Sequence, residues 1–103
     1  MRIALTVKGA GLGAWLDNDF ANCMQVMVVD DNNRFTAWQN PYRNGTSATE
    51  LSLAEDIIKE KVDVLITAQI SQEVINKISK AGIKVLIKTE GTVYDLIDEM
   101  RQP

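Results

Sequence analysis

Histidine is missing from this 103-residue sequence. Its absence removes Ser-His-Asp and Cys-His relays, most zinc sites and the usual general base near neutral pH. Cysteine is nearly missing as well. Cys23 stands alone, which rules out an internal disulfide and suits a reducing compartment. No apolar run exceeds short stretches such as VMVV and VLI, whereas a membrane span needs about 20 apolar residues. No segment concentrates positive charge. The 11 lysines and arginines are scattered among 14 acids, net charge −3, so the basic stripe of a nucleic-acid binder is lacking. The opening MRIALTV enters a strand pattern at once, with no signal-peptide cleavage region. Together these absences predict a cytoplasmic, non-enzymatic protein without nucleic-acid or membrane partners.

What is present is ordinary globular material: 46% hydrophobic and 24% charged, enough for one modest core in a single domain, 1–103. Arg2–Val7, Cys23–Val29 and Arg34–Gln39 read as three strands, rich in β-branched and apolar residues. Asp30–Asn33 (DDNN) tolerates positive φ and closes a hairpin between the last two. The second half changes rhythm. Ser47 and Glu50 have capping-box spacing ahead of a helix that ends near Lys61, with Leu51, Leu53, Ala54, Ile57 and Ile58 inward. Val62–Thr67 is a fourth strand. Ser71 caps a second helix that turns Val74, Ile75 and Ile78 inward and stops at Gly82. Ile83–Lys88 is a fifth strand. Thr92 caps a last helix with Val93, Leu96, Ile97 and Met100 at i, i+3, i+4, i+7. The order is β-β-β-α-β-α-β-α. Strands joined through a helix run parallel and the hairpin adds an antiparallel edge, so a five-stranded mixed sheet with helices on its faces is expected.

The segment KGAGLGAWLDNDFANC, Lys8 to Cys23, carries Gly9, Gly11 and Ala14 in the G-x-G-x-x-G/A spacing of dinucleotide sites. Asp30-Asp31 follows about twenty residues on, where a ribose-binding carboxylate belongs. Such a site needs a helix opening at the second glycine, its N-terminus toward the pyrophosphate. The residues available, Trp15–Asn22, include Asp17, Asn18, Asp19 and Asn22, whose side chains compete with helical backbone bonds. Eight residues are also too few for a crossover helix. A long glycine-bearing loop is the better reading, and long loops in compact domains are often functional.

Several segments then form a pattern. MRIALTV opens the chain, Leu16–Phe20 is followed by a small residue, strand two finishes in Val29-Asp30, and Asn40-Pro41 follows strand three. VDVLITAQI and AGIKVLIKTEGTVYDLI complete it. The chain resembles, nearly end to end, the dinitrogenase iron–molybdenum cofactor biosynthesis family, the NifX-like domain also found at the C-terminus of NifB-type proteins. The resemblance implies a ribonuclease-H-like three-layer α/β/α fold. It also implies a carrier or scaffold that holds an iron–sulfur or molybdenum-containing cluster between a donor and a recipient protein. Members often carry histidines beside the Phe-Gly segment and after Asn-Pro. Here Phe20 is followed by Ala21-Asn22, the second loop reads Tyr42-Arg43-Asn44-Gly45, and Ile70-Ser71 replaces an Ile-Gly turn. Cys23 is then the one strong soft ligand, with Met24, Met27 and Met100 as weak thioethers. Clusters usually take several thiolates.

Ligands of open α/β sheets bind beyond the carboxyl ends of the parallel strands. Lys8–Gly13, Ala68–Ser71 and Thr89–Thr92 converge there, two of them leading into helix N-termini that suit anions. The candidate cofactor-binding residues are Lys8, Gly9, Gly11, Gln69, Ser71, Gly91 and Thr92, with Cys23 as candidate metal ligand; Lys88 and Arg43 add charge. Ser71 and Thr92 read equally as plain caps, and Cys23 as a small buried hydrophobe. Trp15 is a loop anchor or an exposed partner contact, and Trp38 a sheet-face residue. A two-metal nuclease is disfavoured, because strand one has no acid and Asp63 starts strand four. The alternative to a carrier is an interaction or regulatory module that kept the fold and lost the metal.

Overall fold

The computed structural model describes residues 1–43 and 47–101. Six strands and three helices follow in the order β1 (Ile3–Lys8), β2 (Trp15–Leu16), β3 (Gln25–Val29), β4 (Phe35–Gln39), α1 (Ser47–Lys59), β5 (Val64–Thr67), α2 (Gln72–Lys80), β6 (Lys84–Ile87) and α3 (Val93–Arg101). The expected order holds with one correction: the sheet has six strands, because the short β2 folds back onto β1. The main path runs β4-β3-β1-β5-β6. β1, β5 and β6 are parallel, while β3 is antiparallel to both β1 and β4. Among the described residues no helix is long and apolar enough to cross a membrane.

Strand alternation divides the core between the two sheet faces. Ile3, Leu5, Val7, Met27, Val29, Val64 and Ile66 face α3, which contributes Val93, Leu96 and Ile97. Ala4, Val26, Val28 and Leu65 face α1 and α2, which contribute Leu53, Ala54, Ile57, Val74 and Ile78. The molecule therefore has three layers, two helices on one side and one on the other. Each fully buried Leu or Ile contributes about 1.5–3 kcal/mol, so the two clusters account for most of the cohesion.

Local chemistry sets the element ends. Asn33 takes φ +59° in the β3–β4 turn, and Asp30 Oδ1 accepts from the N–H groups of Asn32 and Arg34. Gly82, at φ +86°, ends α2 with Gly82 N–H on Ser79 O and Ile83 N–H on Ile78 O, a Schellman closure. Strand β3 starts two residues later than expected. Cys23 N–H turns back to Phe20 O and Met24 N–H goes to Asp17 Oδ2, so the ladder to β1 opens at Gln25. The Ser47 side chain of the expected capping box lies outside the described residues. Its partner Glu50 accepts the Ser71 N–H at 3.1 Å, joining the starts of α1 and α2.

Candidate functional site

Because β1, β5 and β6 are parallel, their carboxyl ends share one rim. The chain leaves it at Lys8, Ala68 and Lys88. After Lys8 it turns through Gly9 (φ +96°) and Gly11 (φ +73°), whose carbonyl accepts Ala14 N–H at 3.1 Å. It then returns as β2, pairing Trp15 with Lys8 and Leu16 with Val7. No helix forms over 11–22; the segment is a strand and turns. The helix end that would receive a pyrophosphate is therefore absent, which removes the dinucleotide reading.

The returning segment is fastened to the start of α3. Leu16 N–H donates to Gly91 O (2.8 Å), Val93 N–H to Ala14 O (2.9 Å) and Tyr94 N–H to Leu12 O (3.0 Å). Thr92 Oγ1 accepts from Asp95 N–H at 3.2 Å as the cap. Gly91 holds φ +133°, and a Cβ there would lie 3.1 Å from the Leu96 side chain. Gly91 and Thr92 thus serve the fold directly. At α2, Ser71 Oγ accepts from Val74 N–H at 3.4 Å. Gly9 is held from both sides, its N–H on Met24 Sδ (3.4 Å) and its carbonyl on Gln25 Nε2 (2.7 Å). The start of α3 is thus filled by the protein's own acceptors, while at α2 the Ser71 hydroxyl caps Val74 N–H.

A groove remains open beside them. Lys8, Trp15, Leu16, Asn18, Thr89 and Glu90 line one part. It continues along Asn18, Ala68, Gln69, Ile87, Lys88 and Thr89. Trp15 is 56% exposed and Ile87 57%, so an indole and an aliphatic side chain flank the opening. Lys8 makes no ion pair among the described residues, whereas Lys88 is drawn off by Glu99 at 2.6 Å. Gln69 is placed by its backbone, its carbonyl accepting Phe20 N–H (2.9 Å) and its N–H donating to Asn18 O (3.3 Å). Phe20, fully buried, anchors that crossing. Of the sequence candidates, Lys8, Gln69 and Lys88 line the groove, Lys88 with its ammonium on Glu99; Gly9, Gly11, Ser71, Gly91 and Thr92 shape the loops around it. Asn18, Ile87, Thr89 and Glu90 carried no motif; only Thr89 and Glu90 were marked, by their place after a strand end. Arg43 stays outside, its Nε donating to Asn22 O at 3.3 Å.

Residues 1–102 match the family model described as dinitrogenase iron-molybdenum cofactor. The chain belongs to the dinitrogenase iron-molybdenum cofactor family. Among solved structures it is similar to the apo form of the orange protein from Desulfovibrio gigas. That match has 26% identity and a TM-score of 0.88, and covers 96% of this chain and 85% of that one. It is also similar to a putative NifB protein from Thermotoga. There the identity is 22% and the TM-score 0.78, with 96% of this chain and 85% of the other covered. No curated protein matches the sequence.

For a member of the dinitrogenase iron-molybdenum cofactor family the donor set is sparse. Cys23 is fully buried among Ala4, Phe20 and Val26. Burial pushes its thiol up to about 12, the Asp17 carboxylate adds to this, and the Asn40 amide, 3.7 Å from Sγ, only partly offsets it. The thiolate is the form that binds metals, so Cys23 is not poised as a ligand. Among the described residues no three His, Cys, Asp or Glu side chains are arranged to hold a metal ion. Met24 is partly exposed, but its sulfur is engaged by Gly9. The residues therefore do not fit a cluster held by several covalent protein ligands.

Proposed function

We propose that this protein, residues 1–103 acting as one ribonuclease-H-like domain, is a non-enzymatic cytoplasmic carrier. Its cargo is a preassembled anionic cluster, iron–sulfur or molybdenum-containing, passed from a donor to a recipient protein. Family membership over almost the whole chain and the likeness to an apo-form protein support a carrier. The observation that carries this form of it is the groove at the carboxyl ends of β1, β5 and β6. That groove presents a Lys8 ammonium free of ion pairs among the described residues, an exposed Trp15 face and the polar groups of Asn18, Gln69 and Thr89, with no thiolate among them. Such a surface holds cargo by charge, hydrogen bonds and packing, and releases it without breaking a protein–metal bond. Glu90 on the rim offsets one of the two lysine charges, Lys8 and Lys88, and so favours modest affinity.

Anaerobic incubation with iron, sulfide and tetrathiomolybdate, followed by metal analysis and absorption spectra, tests this. Stoichiometric uptake that survives Cys23→Ser but drops in Lys8→Glu supports the groove. Uptake abolished by Cys23→Ser sinks it and makes the thiol the ligand.

A second reading has its own support: among the described residues no side-chain group is arranged to hold a metal ion, and the start of α3 is already filled. It is an interaction or regulatory module that kept the fold and lost metal binding. No uptake by the parent chain decides for it.

A further inference from the structure

We propose that β4 is a self-association edge on which a second copy of this chain pairs antiparallel about Ala37. The ladder with β3 sets the backbone directions along β4. Asn40 N–H donates to Met24 O (3.1 Å) and Asp30 N–H to Arg34 O (3.0 Å). Residues 34, 36, 38 and 40 therefore turn their backbone groups toward β3, and Phe35, Ala37 and Gln39 turn theirs outward. Among the described residues no strand pairs with that outer side. A row of open N–H and C=O groups is a template for another strand.

Symmetry selects the occupant. The three outward residues are evenly spaced about Ala37, so a two-fold axis there sets Ala37 against the partner's Ala37 and Phe35 against the partner's Gln39. Every outward donor on one copy then meets an outward acceptor on the other. The two edges of the sheet also differ in protection. β6 carries Lys84 within the strand, a charge of the kind that guards an edge, whereas β4 reads FTAWQ with neither charge nor proline, Arg34 and Pro41 lying outside it. On the α3 side, that helix packs against β1, and Phe35 and Ala37 remain exposed. Pairing joins two six-stranded sheets into one and leaves the two grooves at opposite ends, both open. Five-residue edges bury less than ~1,200 Å², the range of transient complexes.

Sedimentation equilibrium of the full chain from about 10 µM to about 1 mM, where such an interface populates a dimer, reads this out. A monomer–dimer equilibrium is expected. Ala37→Pro abolishes it while the thermal midpoint stays near that of the parent, because the lost N–H faces outward, where an edge strand tolerates proline. Ala37→Lys and Ala37→Glu each weaken self-association about fivefold, since residue 37 meets its own copy, and mixing the two variants restores a mixed dimer. A monomer throughout overturns the proposal. So does a dimer that survives Ala37→Pro, or a mixture that associates no better than either charged variant alone.

Discussion

Two neighbouring parts of one sheet rim take opposite courses. At the start of α3 the N–H groups of Val93, Tyr94 and Asp95 are all taken, by Ala14 O, Leu12 O and Thr92 Oγ1. Beside it, between β2 and the β6–α3 connection, Lys8, Trp15, Asn18 and Thr89 stand open to solvent. The closed part is made of backbone bonds and one side-chain cap, the open part of side chains. A helix N-terminus attracts an anion only while its donors are free; here a glycine-rich loop reaches them first. The open side chains do little for the fold, which leaves them available for contact with a cargo.

Changes in the closed part should cost stability, and changes in the open part should cost binding. The largest effect is expected from Phe20→Ala, which empties a fully buried site beneath the Asn18–Gln69 crossing and removes about 3–5 kcal/mol. Denaturant unfolding measures it, and a loss below ~1 kcal/mol would mean that Phe20 does not anchor the loop. Gly91→Ala combines φ +133° with a contact at 3.1 Å, and is expected to lower stability by about 1–3 kcal/mol in thermal unfolding. A hydroxyl pair buried beneath the rim, Thr6 and Thr67 at 2.7 Å, gives an internal control. Thr67→Val strands the Thr6 hydroxyl at about 1–3 kcal/mol, and adding Thr6→Val recovers most of the loss.

Cys23 adds a pH dependence of its own. The folded thiol keeps its proton to about 12, against 9.0 for an ordinary cysteine. That stabilisation is complete below the lower value and is lost as pH climbs toward the higher one, by at most about 1.4 kcal/mol per pH unit. Unfolding curves of Cys23→Ser should fall less steeply across that window than those of the parent; parallel curves would remove the thiol from the account. The smallest effect on stability, within about 0.5 kcal/mol, is expected for Lys8→Ala and Trp15→Ala. Under the carrier proposal both lower cluster uptake. A variant that unfolds the protein or leaves uptake intact would erase the distinction between the two parts.

Much of the fold was legible because each cue was local. Ser71, Gly82 and Thr92 act at the helix ends where their chemistry places them, and the β-branched, apolar run from Arg2 to Val7 is the strand it reads as, although which of its residues face which layer was not read. β2 was not legible. Trp15-Leu16 is strand only because Lys8 and Val7 pair with it, and no pattern can be read in two residues. The rim was readable from the parallel strands, but Asn18 and Thr89 come together across 71 positions of sequence. The anion-binding promise of Thr92 failed to show itself as local because the acceptors that fill that end, Leu12 and Ala14, come from about eighty residues earlier.

The fastening of residues 12–16 to 91–94 has a consequence for deuterium uptake. Three backbone bonds bind a loop to a first helical turn, so neither opens without the other. The amides of Leu16, Val93 and Tyr94 then become labelled as one event. A cargo resting on Trp15 slows all three, including two in a helix on the far side of the sheet from α1 and α2.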